Sequence, residues 1–347
     1  MSKRISLKDI AREAGVSTAL VSYVMNGKEK QARVGPEMAR KIRRIAKKLN
    51  YRPNLIAQSL KSGKSSTIGL IVADISNSFF SNIARIVEDE AKKYGYTVIM
   101  GSSDESAQKS QDLIEVFLRR QVDGLIIAPA EGTEAQLKLL GKKNIPYVLI
   151  DRYFPALKSN SVTIDNFNAA YTAITHLVES GYRRIATLTY ANSLYHTQER
   201  KRGYLQALAD KGIRKNDKWV LEARYNELAT DVPRLLKRVL NPSPEIDAVF
   251  FATNTLAVEG LRVINDLKIK IPGNIGIVSF DENDAFDFFY SPLTYVKQSL
   301  TDMGQESVRA LIKSMEKQPA GPERRIVKHE LIIRTSSNGL KVKKKNS

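Results

Sequence analysis

Apolar residues recur along this chain at two different spacings. Before residue 53 they fall three and four apart: Ile10 with Ala14, then Leu20, Val21 and Val24, then Met38, Ile42, Ile45, Ala46 and Leu49. That spacing lines up single helical faces. Three short helices are expected, over 7–14, from Ser17 onward, and from Pro36 to about residue 50. Ser6 and Ser17 stand as N-caps, Asp9 follows Ser6 by three, and Pro36 suits a first helical position. Gly15 falls where a sharp turn needs a positive φ. From Thr67 the pattern changes. Short apolar runs at 68–73, 96–101, 124–129, 147–150, 185–189, 248–252 and 275–280 alternate with helical segments at 82–94, 110–120, 168–180 and 255–267. Such alternation predicts an α/β fold of parallel sheets with helices on both faces. About ten strands are too many for one compact sheet, so two lobes are expected.

Two short helices joined by a glycine turn, with a third closing the core, describe a helix-turn-helix. Charge sharpens this reading. The net charge is +18. Residues 1–64 hold sixteen Lys and Arg against four Asp and Glu, a surplus of +12. Lys341, Lys343, Lys344 and Lys345 add four more in a basic tail expected to be disordered, which leaves only +2 on the body. The alternatives are a solubilising end or a three-helix protein-binding module. With +12 on the segment, duplex DNA is the expected partner. Ser17 opens the second helix, and Thr18, Ala19 and Tyr23 point outward from it, where a major groove would admit them. Lys8, Ser22, Asn26, Lys28 and Arg33 are placed to anchor phosphates.

Other classes find little support. No apolar run reaches ~18 residues, so no membrane helix is expected. The charged N-terminus is unlike a secretory signal, and Cys is absent. These features point to the cytoplasm. His176, His196 and His329 have no metal-ligand spacing; His176 lies mid-helix and reads as structural. "SGKSS" at 62–66 resembles the end of a phosphate-binding loop, but Gln58 stands where that loop needs Gly. Neither an enzyme, a metal nor a cofactor is expected.

"SLKDIAREAGVSTALVSYVMNG" and "KIRRIAKKLNYRPNLIAQSLKSGKSSTIGLI" resemble the lactose-repressor/galactose-repressor family of bacterial transcription regulators, and the similarity runs through most of the chain. The resemblance implies a DNA-binding domain at 1–53, a hinge helix and linker at 54–66, a two-lobed effector-binding and dimerisation domain at 67–340, and a tail at 341–347. Within the hinge, Leu60 matches a residue that wedges into the minor groove, and Ala57 would lie near its symmetry mate. The segment "GKEKQARV" is a few residues longer than the family pattern. The body resembles periplasmic sugar-binding proteins, which implies three crossovers between lobes, near residues 161, 292 and 322.

An effector would then bind between the lobes, at the carboxyl ends of strands. Phe79, Phe80, Asp151, His196, Arg200, Tyr225, Asn254 and Asp281 are the candidates. Of these Arg200 stands in the R-x-x-G-Y motif, and Asn254 is followed by Thr255 where the family usually has Asp. Acids, an Arg, an Asn and aromatic faces suit a sugar better than a purine, which could use the same rings by stacking. The implied function is a ligand-responsive regulator, a repressor of carbohydrate-utilisation genes. It would hold a near-palindromic double-stranded operator as a homodimer, with a tetramer as the alternative. A solute-binding protein and a sugar- or nucleoside-converting enzyme are the rival classes; the basic head argues against the first, and no catalytic motif supports the second. Leu60→Ala is expected to weaken binding to a preferred operator more than to random duplex; equal losses on both in a competition assay would remove the wedge role.

Overall fold

The computed structural model describes residues 5–51, 63–241, 243–316 and 321–338. The hinge segment, including Ala57 and Leu60, and the basic tail lie outside the described residues. The chain divides into two compact units, 1–65 and 66–347.

The first unit is the expected three-helix head: α1 (Leu7–Ala14), α2 (Thr18–Met25) and α3 (Pro36–Lys48). The Asp9 carboxylate accepts from the Ser6 backbone N–H at 2.9 Å and from its hydroxyl at 2.7 Å, fixing the start of α1. Gly15 ends it at φ +70°, and Lys41 Nζ donates to the freed Ala14 carbonyl at 3.0 Å. Ser17 caps α2 by accepting from the Leu20 N–H at 3.2 Å. Ile10, Ala11, Ala14, Val21, Val24, Ala39, Ile42 and Ala46 form the core. Leu20, expected inside, is only half-buried beside it.

The second unit consists of two lobes of matching topology. The first carries β1 (Thr67–Val72), α4 (Ser78–Lys93), β2 (Thr97–Ser102), α5 (Ala107–Arg119), β3 (Gly124–Ile127), α6 (Glu134–Lys142), β4 (Tyr147–Ile150) and β5 (Asn160–Ile164). The second lobe begins with α7 (Asn166–Glu179). It then repeats the order as β6 (Ile185–Tyr190), α8 (Tyr195–Asp210), β7 (Val220–Ala223), α9 (Leu228–Leu240), β8 (Ala248–Phe251), α10 (Asn254–Asp266), β9 (Gly276–Phe280), the short α11 (Ala285–Phe288) and β10 (Thr294–Gln298). The chain returns as α12 (Leu300–Met315) and β11 (Arg324–Val327) to the first lobe, then crosses again as β12 (His329–Ile332). Strand orders are β11-β5-β4-β3-β1-β2 and β12-β10-β9-β8-β6-β7; every pairing is parallel except β10 with β12. β1, β3, β4, β8 and β9 are covered on both faces, which is why they read as unbroken apolar runs.

The crossovers fall at Asp165, Ser299 and Lys328, a few residues beyond the expected 161, 292 and 322. Ser161 pairs within β5 and Pro292 precedes β10, and each strand must finish before the chain can leave the sheet. α4 begins at Ser78, earlier than the expected residue 82, because Asn77 caps it by accepting from the Phe79 N–H at 3.0 Å.

The R-x-x-G-Y motif now has a packing explanation. Arg200 Nε donates to Asn166 Oδ1 at 2.8 Å, tying α8 to α7. Tyr204 is buried and its hydroxyl donates to the Ile185 carbonyl at 2.8 Å. Between them, a Cβ on Gly203 would stand 2.3 Å from the Phe167 carbonyl oxygen and 3.0 Å from the Tyr171 nitrogen. Only glycine permits this approach, because backbone cannot swing aside as a flexible side chain can. Gly203→Ala is expected to force α7 and α8 apart and to lower stability by about 1–3 kcal/mol. Thermal melting checks this; an unchanged midpoint would mean the helices separate at no cost.

Candidate functional site

Several strands of the two lobes are followed, at the ends that face the other lobe, by a polar or aromatic residue. Asp74 follows β1, Glu105 follows β2, and Asp151 and Arg152 follow β4. From the second lobe come Tyr190 at the end of β6, His196 and Arg200 on α8, Tyr225 after β7, Thr253 and Thr255 around the start of α10, and Asp281 after β9. Together with Asn77, Phe79 and Phe80 they line one cleft. Its free volume of about 30 Å³ is enough to admit water.

The lobes are bridged directly. The Tyr225 hydroxyl donates to Asp74 Oδ2 at 2.7 Å. Asn77 and Asn254 exchange side-chain amide hydrogen bonds at 3.1 and 3.2 Å, and Asn77 Nδ2 also donates to Thr255 Oγ1 at 3.3 Å. At the rim the Ser193 N–H and hydroxyl both donate to Glu131 Oε1, at 2.7 and 2.5 Å, and Tyr153 meets Tyr195 with ring centres 5.0 Å apart.

Charges inside the cleft are buried and mostly paired. Arg152 grips Glu105 in a fork, with distances of 2.6 and 2.7 Å, and donates through Nε to Asp151 Oδ2 at 3.2 Å. Burial opposes its charge, but Glu105 and then Asp151 hold its pKa above the usual range. Arg200 donates to Asn166 and to the Ala252 carbonyl at 2.8 Å, and lies 3.5 Å from the centre of the Phe280 ring. Burial pulls its pKa down, against Asp281 and Asp151. Asp281 accepts from Gln298 Nε2 at 2.5 Å, and burial, only partly offset by Arg200, lifts its pKa to about 6. Burial likewise raises Asp151. His196 is pushed well below its usual pKa by burial, then by Arg152 and Arg200, so the ring is neutral at pH 7. Its Nδ1 finds no partner among the described residues.

Asp151 and Asp281 occupy equivalent places. Each follows its strand at φ +67° and donates its N–H to the neighbouring strand, to the Val162 and Val296 carbonyls. A left-handed aspartate costs backbone energy, and such outliers concentrate where a side chain must be aimed.

Seven of the expected residues, Phe79, Phe80, Asp151, His196, Arg200, Tyr225 and Asp281, line the cleft. Asn254 stands just behind it, on the Asn77 bridge. Sequence reasoning missed Asp74, Asn77, Glu105, Arg152, Tyr190 and Thr253; Tyr190 ends a strand, and Asp74, Arg152 and Thr253 stand two residues past one, which was the available signal. His176 pairs with the Ser337 hydroxyl at 2.7 Å, away from the cleft. No group of acidic or histidine side chains among the described residues is arranged to hold a metal ion.

On the head, Thr18, Ala19 and Tyr23 are exposed along one run of α2, with Tyr23 at 45%. Lys8 is exposed and Ser22 half-buried. Ser17 and Asn26 are also exposed, yet both serve as caps: Asn26 Nδ2 donates back to the Ser22 carbonyl at 2.7 Å. Among the described residues no helix is long and apolar enough to cross a membrane.

A helix-turn-helix head joined to a two-lobed α/β body with a polar interlobe cleft defines a ligand-binding transcription regulator. The family described as "Bacterial regulatory proteins, lacI family" matches residues 6–54, and that described as "Periplasmic binding proteins and sugar binding domain of LacI family" matches residues 65–335. The chain belongs to the lacI family of DNA-binding regulators, and is a regulator rather than an enzyme. It is 32% identical to catabolite control protein A of Priestia megaterium, over 96% of this chain and 99% of that protein. It is 28% identical to the transcriptional repressor PurR of Histophilus somni, over 95% of this chain and 98% of the repressor. Among solved structures, a LacI-family regulator from Enterococcus faecium with bound ribose matches with a TM-score of 0.69 at 26% identity, covering 79% of this chain and 99% of that one.

The raised pKa of Asp281 makes stability pH-dependent with a definite sign. Between its ordinary value of 3.8 and about 6 the folded chain holds a proton that the unfolded chain releases. Its contribution therefore falls as pH rises through that window. His196 acts oppositely, because the unfolded ring takes up a proton below 6.5 that the buried ring refuses. Comparing Asp281→Asn with the parent chain isolates the carboxylate. The variant should gain on the parent by up to ~1.4 kcal/mol per pH unit from pH 4 to 6, and the gap should stay level above that. Parallel curves in denaturant titrations would show Asp281 ionising normally.

Proposed function

We propose that the cleft takes a small uncharged carbohydrate ring, and that the chain acts as a homodimeric repressor on a near-palindromic operator. One observation carries the effector assignment. Around the cleft, the carboxylates Asp74, Glu105, Asp151 and Asp281 outnumber the guanidiniums of Arg152 and Arg200, and Arg152 is already engaged with two of them. An anion such as a sugar phosphate would meet surplus negative charge in a low-dielectric space. A neutral polyol suits it, because each hydroxyl can donate to a carboxylate and accept from an Arg or amide. Neutral His196, with Nδ1 free among the described residues, supplies one more hydrogen-bonding position. Phe79, Phe80, Tyr190 and Tyr225 offer faces for the C–H side of a sugar ring. The ribose seen in the Enterococcus faecium relative supports this class. A purine presents fewer donors to four acidic groups, though the likeness to PurR makes nucleobases the comparison to include.

The route to DNA follows from the lobes. Tyr225–Asp74 and Asn77–Asn254 hold them together across the space an effector needs. Effector entry trades those bonds for its own and so shifts one lobe against the other. Each ligand state then favours a different separation of the two hinge segments in a dimer, and with it a different DNA affinity. Two reading helices related by a two-fold axis demand half-sites repeated in mirror order. The protein acts in the cytoplasm, where such an operator is found.

Thermal-shift titration with free aldopentoses and aldohexoses, their phosphates, adenine and hypoxanthine tests the assignment. At least one free sugar is expected to raise the melting temperature, and Asp281→Ala to weaken that sugar at least tenfold while leaving effector-free DNA binding intact. Stabilisation by a phosphate or nucleobase alone would overturn it.

A further inference from the structure

The segment between α2 and α3, where the chain exceeds the family pattern, is ordered by its own hydrogen bonds. The Lys28 N–H reaches back to the carbonyl of Tyr23, on the reading helix, at 2.9 Å. The next residues close one turn, with Ala32 N–H on Lys28 O at 3.2 Å, Arg33 N–H on Lys30 O at 3.3 Å and Val34 N–H on Glu29 O at 2.9 Å. This is the closure found at helix ends, and Arg33 occupies its left-handed position at φ +50°, where glycine would cost less. An arginine kept there calls for a reason outside the turn.

The distribution of charge supplies one. Glu29, the segment's only acid, turns inward: its Oε1 accepts from Arg43 Nη2 at 2.5 Å. Backbone hydrogen bonding and then Arg43 hold its carboxyl below the usual range. Val34 packs against the core of the head. Lys28, Lys30 and Arg33 are all exposed. The ion pairs among the described residues of the head are Arg12–Asp9, Arg43–Glu29 and Lys48–Glu13, so none uses these three cations. An acid tucked away and three cations turned out, on a fixed turn at the end of the reading helix, suit a polyanion.

We infer that this turn is an additional phosphate clamp, in which Lys28, Lys30 and Arg33 grip the DNA backbone beyond the bases faced by α2. It adds affinity and salt sensitivity without changing which bases are preferred, because groups on the backbone position and groups on base edges specify.

The test uses the full-length chain, a duplex it enriches from a random-sequence pool, and a scrambled duplex. The slope of log affinity against log salt becomes shallower by ~0.9 for each phosphate that the protein no longer neutralises. The triple variant Lys28→Gln/Lys30→Gln/Arg33→Gln should flatten that slope by about 2–3 units on both duplexes and leave their affinity ratio unchanged. Arg33→Gly, which suits the left-handed position, should melt no lower than the parent and flatten the slope by about 1. A control triple, Arg40→Gln/Arg44→Gln/Lys47→Gln, removes equal charge from exposed positions on α3. It should leave the slope near that of the parent. An unchanged slope in the loop triple, equal flattening by both triples, or a changed affinity ratio would each overturn the clamp.

Discussion

A charge removed from water must find a partner, and the cleft between the lobes is organised around that rule. Arg152 is buried, and its guanidinium stays charged because Glu105 and Asp151 face it at hydrogen-bond distance. Those three residues come from the ends of β2 and β4, so the ion cluster also fixes how these strand ends sit. Arg200, across the cleft, has no such carboxylate partner among the described residues and relies on a carbonyl, an amide and the face of Phe280. One wall is thus set firmly, while the other keeps hydrogen-bonding capacity for a guest.

The expected architecture was legible because parallel strands buried on both faces leave unbroken apolar runs, and because head helices announce their ends through Ser6, Gly15, Ser17 and Pro36. The strands that escaped notice, such as β7 and β12, are edge strands, short and only partly apolar. α8 escaped because it is largely polar, yet it carries His196 and Arg200.

Within the cleft, a polar residue following an apolar run was a sound guide to Asp151 and Asp281. Tyr190 is the last residue of β6 and reads as part of the apolar run. Asp74 and Asn77 sit in "ADISN", which has the composition of an ordinary turn. Their partners Tyr225 and Asn254 lie 151 and 177 residues away, and no local pattern encodes a pairing at that distance. Conversely, the R-x-x-G-Y motif drew attention to Arg200 alone. Its glycine and tyrosine do separate work, letting α7 and α8 touch and tying α8 to β6.

Asp151 and Asp281 descend from matching strands at matching backbone angles, so the two walls present a repeated carboxylate. Their neighbours do not repeat. One is bonded by a guanidinium and the other by an amide, although burial lifts the pKa of both. A guest entering head-first and the same guest reversed would therefore meet different electrostatics. The two orientations of one guest become distinguishable to a cavity whose backbone alone would treat both ends alike.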